Sequence, residues 1–178
     1  MAFLIKSARQ PASGPNSPGA AVIQQHIHVS RAAKALPQTT TEQLFQVRGG
    51  RVLVHLLIGE VTTVIQGTDP VAKVTAGRLN AAMDTLVGTV YDIASTLDMS
   101  SDEVGSIYTI EGDGTAIVSP QLAGAGYGTG RGPWIMPNGE IYLTTGASKT
   151  GALKWDIWYQ PLDEGSYVVA MNVATAAI

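Results

Sequence analysis

The 178-residue chain has no cysteine, so neither a disulfide framework nor a thiolate metal site can be built from it. Charge is scarce as well. Asp, Glu, Lys and Arg supply 14% of residues, against about 25% in an ordinary soluble domain. The polar surface left to such a chain is Thr, Ser, Gln and Asn among Gly and Ala, which suits a protein packed against other subunits; a Gly- and Ala-rich monomer would read the same way. No run approaches the roughly 20 apolar residues that span a bilayer. The apolar start, Ala2-Phe3-Leu4-Ile5, is too short for a signal-peptide core, and its charges Lys6 and Arg9 follow it. A soluble chain with no membrane partner is the expectation. Acid is absent from residues 1–37, which hold Lys6, Arg9, Arg31 and Lys34, while the remainder holds 7 of the 11 Lys and Arg and all 14 Asp and Glu. A basic segment therefore precedes an acidic body.

The most β-prone stretch runs from Gln46 to Gln66. Arg48-Gly49-Gly50-Arg51 is turn chemistry, with two glycines free to take positive φ. Val52, Val54, Leu56 and Ile58 alternate with Leu53, His55 and Leu57, so both faces of a strand here are apolar or nearly so. Gly59-Glu60 allows a bend or bulge before Val61 to Ile65 continue in β-favouring residues. This reads as the central strand pair of a β-sandwich.

Around it, residues 7–20 carry three prolines and two glycines and almost no large apolar group, so they cannot offset their own ordering entropy. Such a segment is held by a neighbouring subunit or lies along its own domain. Val22 to Val29 alternates as a strand does, with Ile23, Gln25, Ile27 and Val29 opposite His26 and His28. Leu36-Pro37 closes the arm, giving a division into an extended basic arm, 1–37, and a body, 38–178. Short β runs follow at Leu44–Val47, Val71–Thr75, Thr89–Ala94, Ser106–Ile110, Thr115–Val118, Trp134–Met136, Glu140–Leu143, Ala152–Gln160 and Ser166–Met171. Leu79, Met83, Leu86 and Val87 fit one face of a short helix over 77–88 bounded by glycines, and a structured loop fits equally. Glu111-Gly112-Asp113-Gly114 and Pro137-Asn138-Gly139 read as hairpin turns, the latter on the strength of Asn-Gly. Ala152–Gln160 puts Leu153, Trp155, Ile157 and Tyr159 on one face, and turns through Pro161–Gly165 into the last strand as a hairpin that closes the core. The expected fold is mainly β: an antiparallel β-sandwich or jelly-roll-like domain with an extended N-terminal arm.

Reactive signatures are thin. The glycine-rich run from Gly124 to Gly132 lacks the strand-then-helix context of a phosphate loop, and Gly146 to Gly151 lacks the glycine before Lys149. The acids of Asp98 to Glu103, and Glu111 with Asp113, do not have the spacing of a calcium loop and read as solvated charges. His26 and His28 form a His-x-His pair without acids nearby in sequence, which favours two imidazoles on a solvated face over a metal site. His55 is the one body histidine able to serve as a base, and a hydrogen-bonded buried histidine is the commoner use of that position. No nucleophile elbow occurs. Four arm cations spread from Lys6 to Lys34 are too sparse for a nucleic-acid footprint. No cofactor and no enzymatic activity are expected, a small β-sandwich hydrolase built on His55 being the remote alternative.

Leu36-Pro37-Gln38-Thr39-Thr40, Val47-Arg48-Gly49-Gly50-Arg51-Val52-Leu53-Val54, Ile58-Gly59-Glu60-Val61-Thr62, and Gly151 to Trp155 with Tyr159 to Gly165 carry a likeness over about residues 36–170. In these strand and turn residues the chain resembles the small capsid decoration, or cement, proteins of tailed bacteriophages. The resemblance implies a non-catalytic virion protein, assembled in the host cytoplasm, on the head surface. Its partners would be the major capsid protein and further copies of itself, as a dimer or trimer. Lys6, Arg9, Arg31 and Lys34 are then the expected contacts of the arm with acidic patches on the shell. A head-fibre or tail-fibre protein that binds glycans is the alternative, to be favoured if Tyr127, Trp134 and Trp158 form a solvent-facing aromatic platform.

Overall fold

A computed structural model describes residues 26–38, 40–66, 71–80, 82–83, 85–99, 102–110, 121–122, 125–126, 133–146 and 150–171. The protein is mainly β, and no helix occurs among the described residues. Among the described residues twelve strands form: β1 Ile27–Ala35, β2 Thr41–Arg48, β3 Val52–Gln66, β4 Val71–Leu79, β5 Leu86–Asp98, β6 Ile107–Ile110, β7 Gln121–Leu122, β8 Ala125–Gly126, β9 Trp134–Met136, β10 Gly139–Thr145, β11 Thr150–Pro161 and β12 Tyr167–Ala170. They build two five-stranded antiparallel sheets. The first has the order β1-β11-β3-β6, with β9 also on β3; the second has the order β12-β2-β10-β4-β5; β7 and β8 pair separately. Within this order β1 pairs with β11, β2 with β10, β3 with β6 and β4 with β5, while β12 adds to β2.

One apolar core draws on both sheets. Val52, Val54, Leu57, Val61 and Ile65 of β3 and Leu153, Trp155, Ile157 and Tyr159 of β11 join Leu44, Phe45 and Val47 of β2, Ile141 and Leu143 of β10, and Val74 and Ala76 of β4. The four-residue apolar face expected on β11 is entirely buried. Trp155 lies flat over its register partner Gly59, where an added Cβ would come within 2.9 Å of the ring. Gly59 is therefore not a break: β3 runs through it, and the glycine makes room for an indole.

The pairing with β11 does shift register just after it, between Val61 and Thr63, and a further bulge sits earlier. The β11–β3 register passes from Trp158↔Leu56 to Tyr159↔Val54, leaving His55 unmatched. The extra residue flips the alternation, so Leu57 rather than Leu56 follows Val52 and Val54 into the core, and Leu56 and Ile58 turn outward, half-buried. Period-2 reasoning cannot foresee this, because one inserted residue inverts every position after it.

Three further expectations are corrected. The segment 77–88 is not a helix but two strand ends joined by a structured loop: Leu79 pairs with Leu86, and Asn80 N donates to Thr85 O, at 2.9 Å. The i, i+4, i+7 spacing was a coincidence of two strands meeting at their ends. Pro137-Asn138-Gly139 does not close a hairpin, since β9 belongs to the first sheet and β10 to the second. Neither Asn138 nor Gly139 takes the positive φ that a tight hairpin needs; instead Asn138 Oδ1 accepts from Gly50 N at 2.7 Å and its carbonyl from Leu79 N. Likewise β11 and β12 lie in different sheets, so Pro161–Gly165 is a crossing. It is locked to the other crossing at 48–51. Arg51 donates through Nε and Nη2 to the two oxygens of Asp163, and a Cβ on Gly49, at φ 75°, would strike Gly165 O at 2.4 Å.

The boundary at residue 37 also moves. Residues 27–35 are not an arm but an edge strand of the first sheet, in register with β11 from Ile27↔Tyr159 to Ala35↔Ala152. The expected hairpin around Glu111–Gly114 lies outside the described residues.

Candidate functional site

The outer face of the first sheet gathers the chain's chemically distinctive side chains. On β1, strand alternation turns Val29 toward the core and His26, His28 and Ser30 outward. On β11 the apolar inner set leaves Lys154, Asp156, Trp158 and Gln160 on the outer side. His28 and Trp158 are register partners, and their rings stack 4.4 Å apart at 14°. His28 Nε2 lies 2.7 Å from Asp156 Oδ1, and Lys154 Nζ lies 3.0 Å from Asp156 Oδ2. Burial alone would raise the Asp156 carboxyl, but hydrogen bonds from Lys154, Ser30 and His28 outweigh it and hold the group below its ordinary value. Lys154 is correspondingly raised by its bond to Asp156.

At the end of this row the bulge presents His55 toward β1. His26 and His55 reach over the intervening strand and meet with ring centroids 3.9 Å apart, tilted by 35°. Burial, then the neighbouring His26, pushes the His55 imidazole below its usual value, and the polar side chain of Gln160 opposes this. His55 Nε2 and Gln160 Oε1 are both buried without a partner. The expected satisfied core histidine is therefore a half-exposed one, on the sheet's outer side, with an orphaned nitrogen. Among the described residues no three His, Cys, Asp or Glu side chains gather as metal ligands do.

Comparison with protein-family models, curated proteins and solved structures finds no match for this chain.

The expected arm contacts divide. Lys6 and Arg9 lie outside the described residues. Arg31 is 1% exposed and turned inward, with Nε donating to Met171 O at 2.7 Å and Nη2 to Glu42 Oε1, so it cannot reach a partner surface. Lys34 Nζ lies 2.5 Å from the same carboxylate oxygen. Both cations thus tie β1 to β2 within the body. Sequence reasoning missed this because the acid they serve, Glu42, is the first one after the basic segment and sits on a different sheet. Of the aromatics proposed as a platform, Trp134 is buried, Trp158 is half-buried with one face under His28, and Tyr127 lies outside the described residues. Asp156 was also missed, although the alternation Lys154-x-Asp156-x-Trp158 on the face opposite the apolar set was a readable signal.

Proposed function

We propose that the chain is a jelly-roll subunit of a phage virion that binds the assembled head shell and stabilises it, without catalysis. The observation that carries this reading is the pairing order of the eight strands β1 to β6, β10 and β11. First with eighth, second with seventh, third with sixth and fourth with fifth is what results when one long antiparallel ribbon is rolled into two facing sheets. That double Greek-key architecture serves viral capsid and lectin domains. The resemblance of its strand and turn residues to decoration proteins favours the first of these. The glycan-binding alternative draws no support from the aromatics, since Trp134 is buried and Trp158 is wedged beside His28. The hydrolase alternative needs an acid or serine on His55, whose ring neighbour is His26.

The physical logic is linkage: a subunit that binds only the assembled shell shifts the equilibrium toward assembly. Residues 1–25, with Lys6 and Arg9, are the proposed tether; Arg31 and Lys34 leave the contact set because they hold Glu42. Native mass determination followed by co-sedimentation with empty phage heads tests this. The expected outcome is a dimer or trimer that binds heads and raises their melting temperature. A variant lacking residues 2–25, which keeps every described strand, should stay folded and lose the heads. Full-length protein that ignores heads overturns the reading, and unchanged occupancy by the truncated form overturns the tether.

A further inference from the structure

We propose that His26 and His55 form an acid-labile clasp that pins the N-terminal end of β1 to the sheet and opens when both imidazoles are protonated. This inference is independent of shell binding.

The geometry is unusual for two residues that are not on neighbouring strands. β11 separates β1 from β3, yet the rings of His26 and His55 meet at 3.9 Å. The bulge makes this possible, because the unmatched residue at 55 is displaced from the regular row. Among the described residues β1 pairs with β11 alone, and its register there begins at Ile27↔Tyr159, directly beside His26. The ring contact is thus a second attachment at the very start of β1.

The contact suits two neutral rings, or one neutral and one charged, and repels two cations. The surrounding charges do not relieve that repulsion. Asp156 is taken by His28 and Lys154, and Glu60 is the register partner of Lys154. Gln160, whose side chain acts on His55, is neutral and supplies no counter-charge. Because folding disfavours the charged His55, the unfolded chain binds more protons. The clasp's contribution is therefore complete above the ordinary histidine value of about 6.5 and is lost as pH falls below it. His28, whose ring lies against the Asp156 carboxylate rather than another imidazole, is the internal control.

The test is NMR titration of the three histidine rings in the full chain, with amide hydrogen exchange of residues 27–31 compared at pH 7.5 and pH 5.5. The His55 ring should titrate below the ordinary histidine value. Protection of the β1 amides, corrected for intrinsic rate, should fall about fivefold at the lower pH, the effect of two unit charges about 4 Å apart in bulk water. In His26→Phe, which keeps a ring and removes the charge, the His55 shift should shrink to the part that burial causes, and β1 protection should lose most of its pH response. His28→Gln should leave the lowered His55 titration in place. A His55 ring that titrates at the ordinary histidine value in the unaltered protein, or an undiminished pH response in His26→Phe, overturns the clasp.

Discussion

The two faces of β11 are built from alternate residues of one strand, and they hold the protein by different physics. Leu153, Trp155, Ile157 and Tyr159 point inward, are almost wholly buried and act through volume and shape. Lys154, Asp156 and Trp158 point outward and act through charge pairing and ring contact, so their contribution depends on pH. Arg31 of the neighbouring strand is the exception that clarifies the rule. It is a cation on the buried side, acceptable only because Glu42 and the Met171 carbonyl meet it. The lesson is that the inner face fixes how stable the fold is, while the outer face fixes the conditions under which the edge strand stays attached.

The largest effect should come from emptying the inner face. Trp155→Ala is expected to cost about 3–5 kcal/mol in urea unfolding, by lost burial and the cavity left over Gly59. The reciprocal change, Gly59→Val, should cost about 1–3 kcal/mol, because the ring cannot move aside without disturbing the core. A Gly59→Val protein as stable as the parent would show that the indole is loosely seated.

Next in size is the buried ion pair. Arg31→Met should destabilise by about 3 kcal/mol, the lower end for breaking a buried pair, because Lys34 still serves Glu42. The double variant Arg31→Met with Glu42→Leu should recover part of that loss, since an uncompensated buried charge is what makes the single change costly. Equal destabilisation by the single and double variants would mean that Arg31 acts through the Met171 carbonyl instead.

The smallest effects belong to the outer carboxylates. Asp156 is held below its ordinary value, and hydrogen bonds from Arg51 hold Asp163 at about 2. For both, the unfolded state binds more protons in acid. Their stabilisation is therefore complete above the unfolded value of 3.8 and is lost as pH falls, over the interval from 3.8 to about 2 for Asp163. Arg51→Ala should return the Asp163 carboxyl part of the way toward the ordinary range in a 13C titration and weaken this part of the acid dependence, the backbone N–H of residue 51 still donating to the carboxylate. The window lies well below that of the histidine clasp, so the two can be separated in one pH series.

The strands were legible because alternation is a local property. Val52, Val54 and the inner set of β11 went where period 2 places them, and β2, β4, β5 and β10 formed where β-branched and aromatic runs announced them. The candidate site was partly legible: His26 and His28 were assigned to an outer face, but their partners Asp156, Trp158 and His55 lie far along the chain, and no spacing rule joins residue 28 to residue 156. The turns show the limit most clearly. Asn138-Gly139 and Pro161–Gly165 announce that the chain bends, and it does. Whether the next strand joins the same sheet or crosses to the other is decided by which apolar face it must bury.

By itself, then, the sequence determined that this is a mainly β protein without disulfides, with a basic beginning, and which residues of each regular strand share a face. Only the tertiary structure decided that β1 belongs to the sheet, that Arg31 is buried, that the bulge falls at His55 and that the turns cross between sheets. These features rest on contacts between residues distant in the chain, and their free energy exists only once both sheets are assembled around one core.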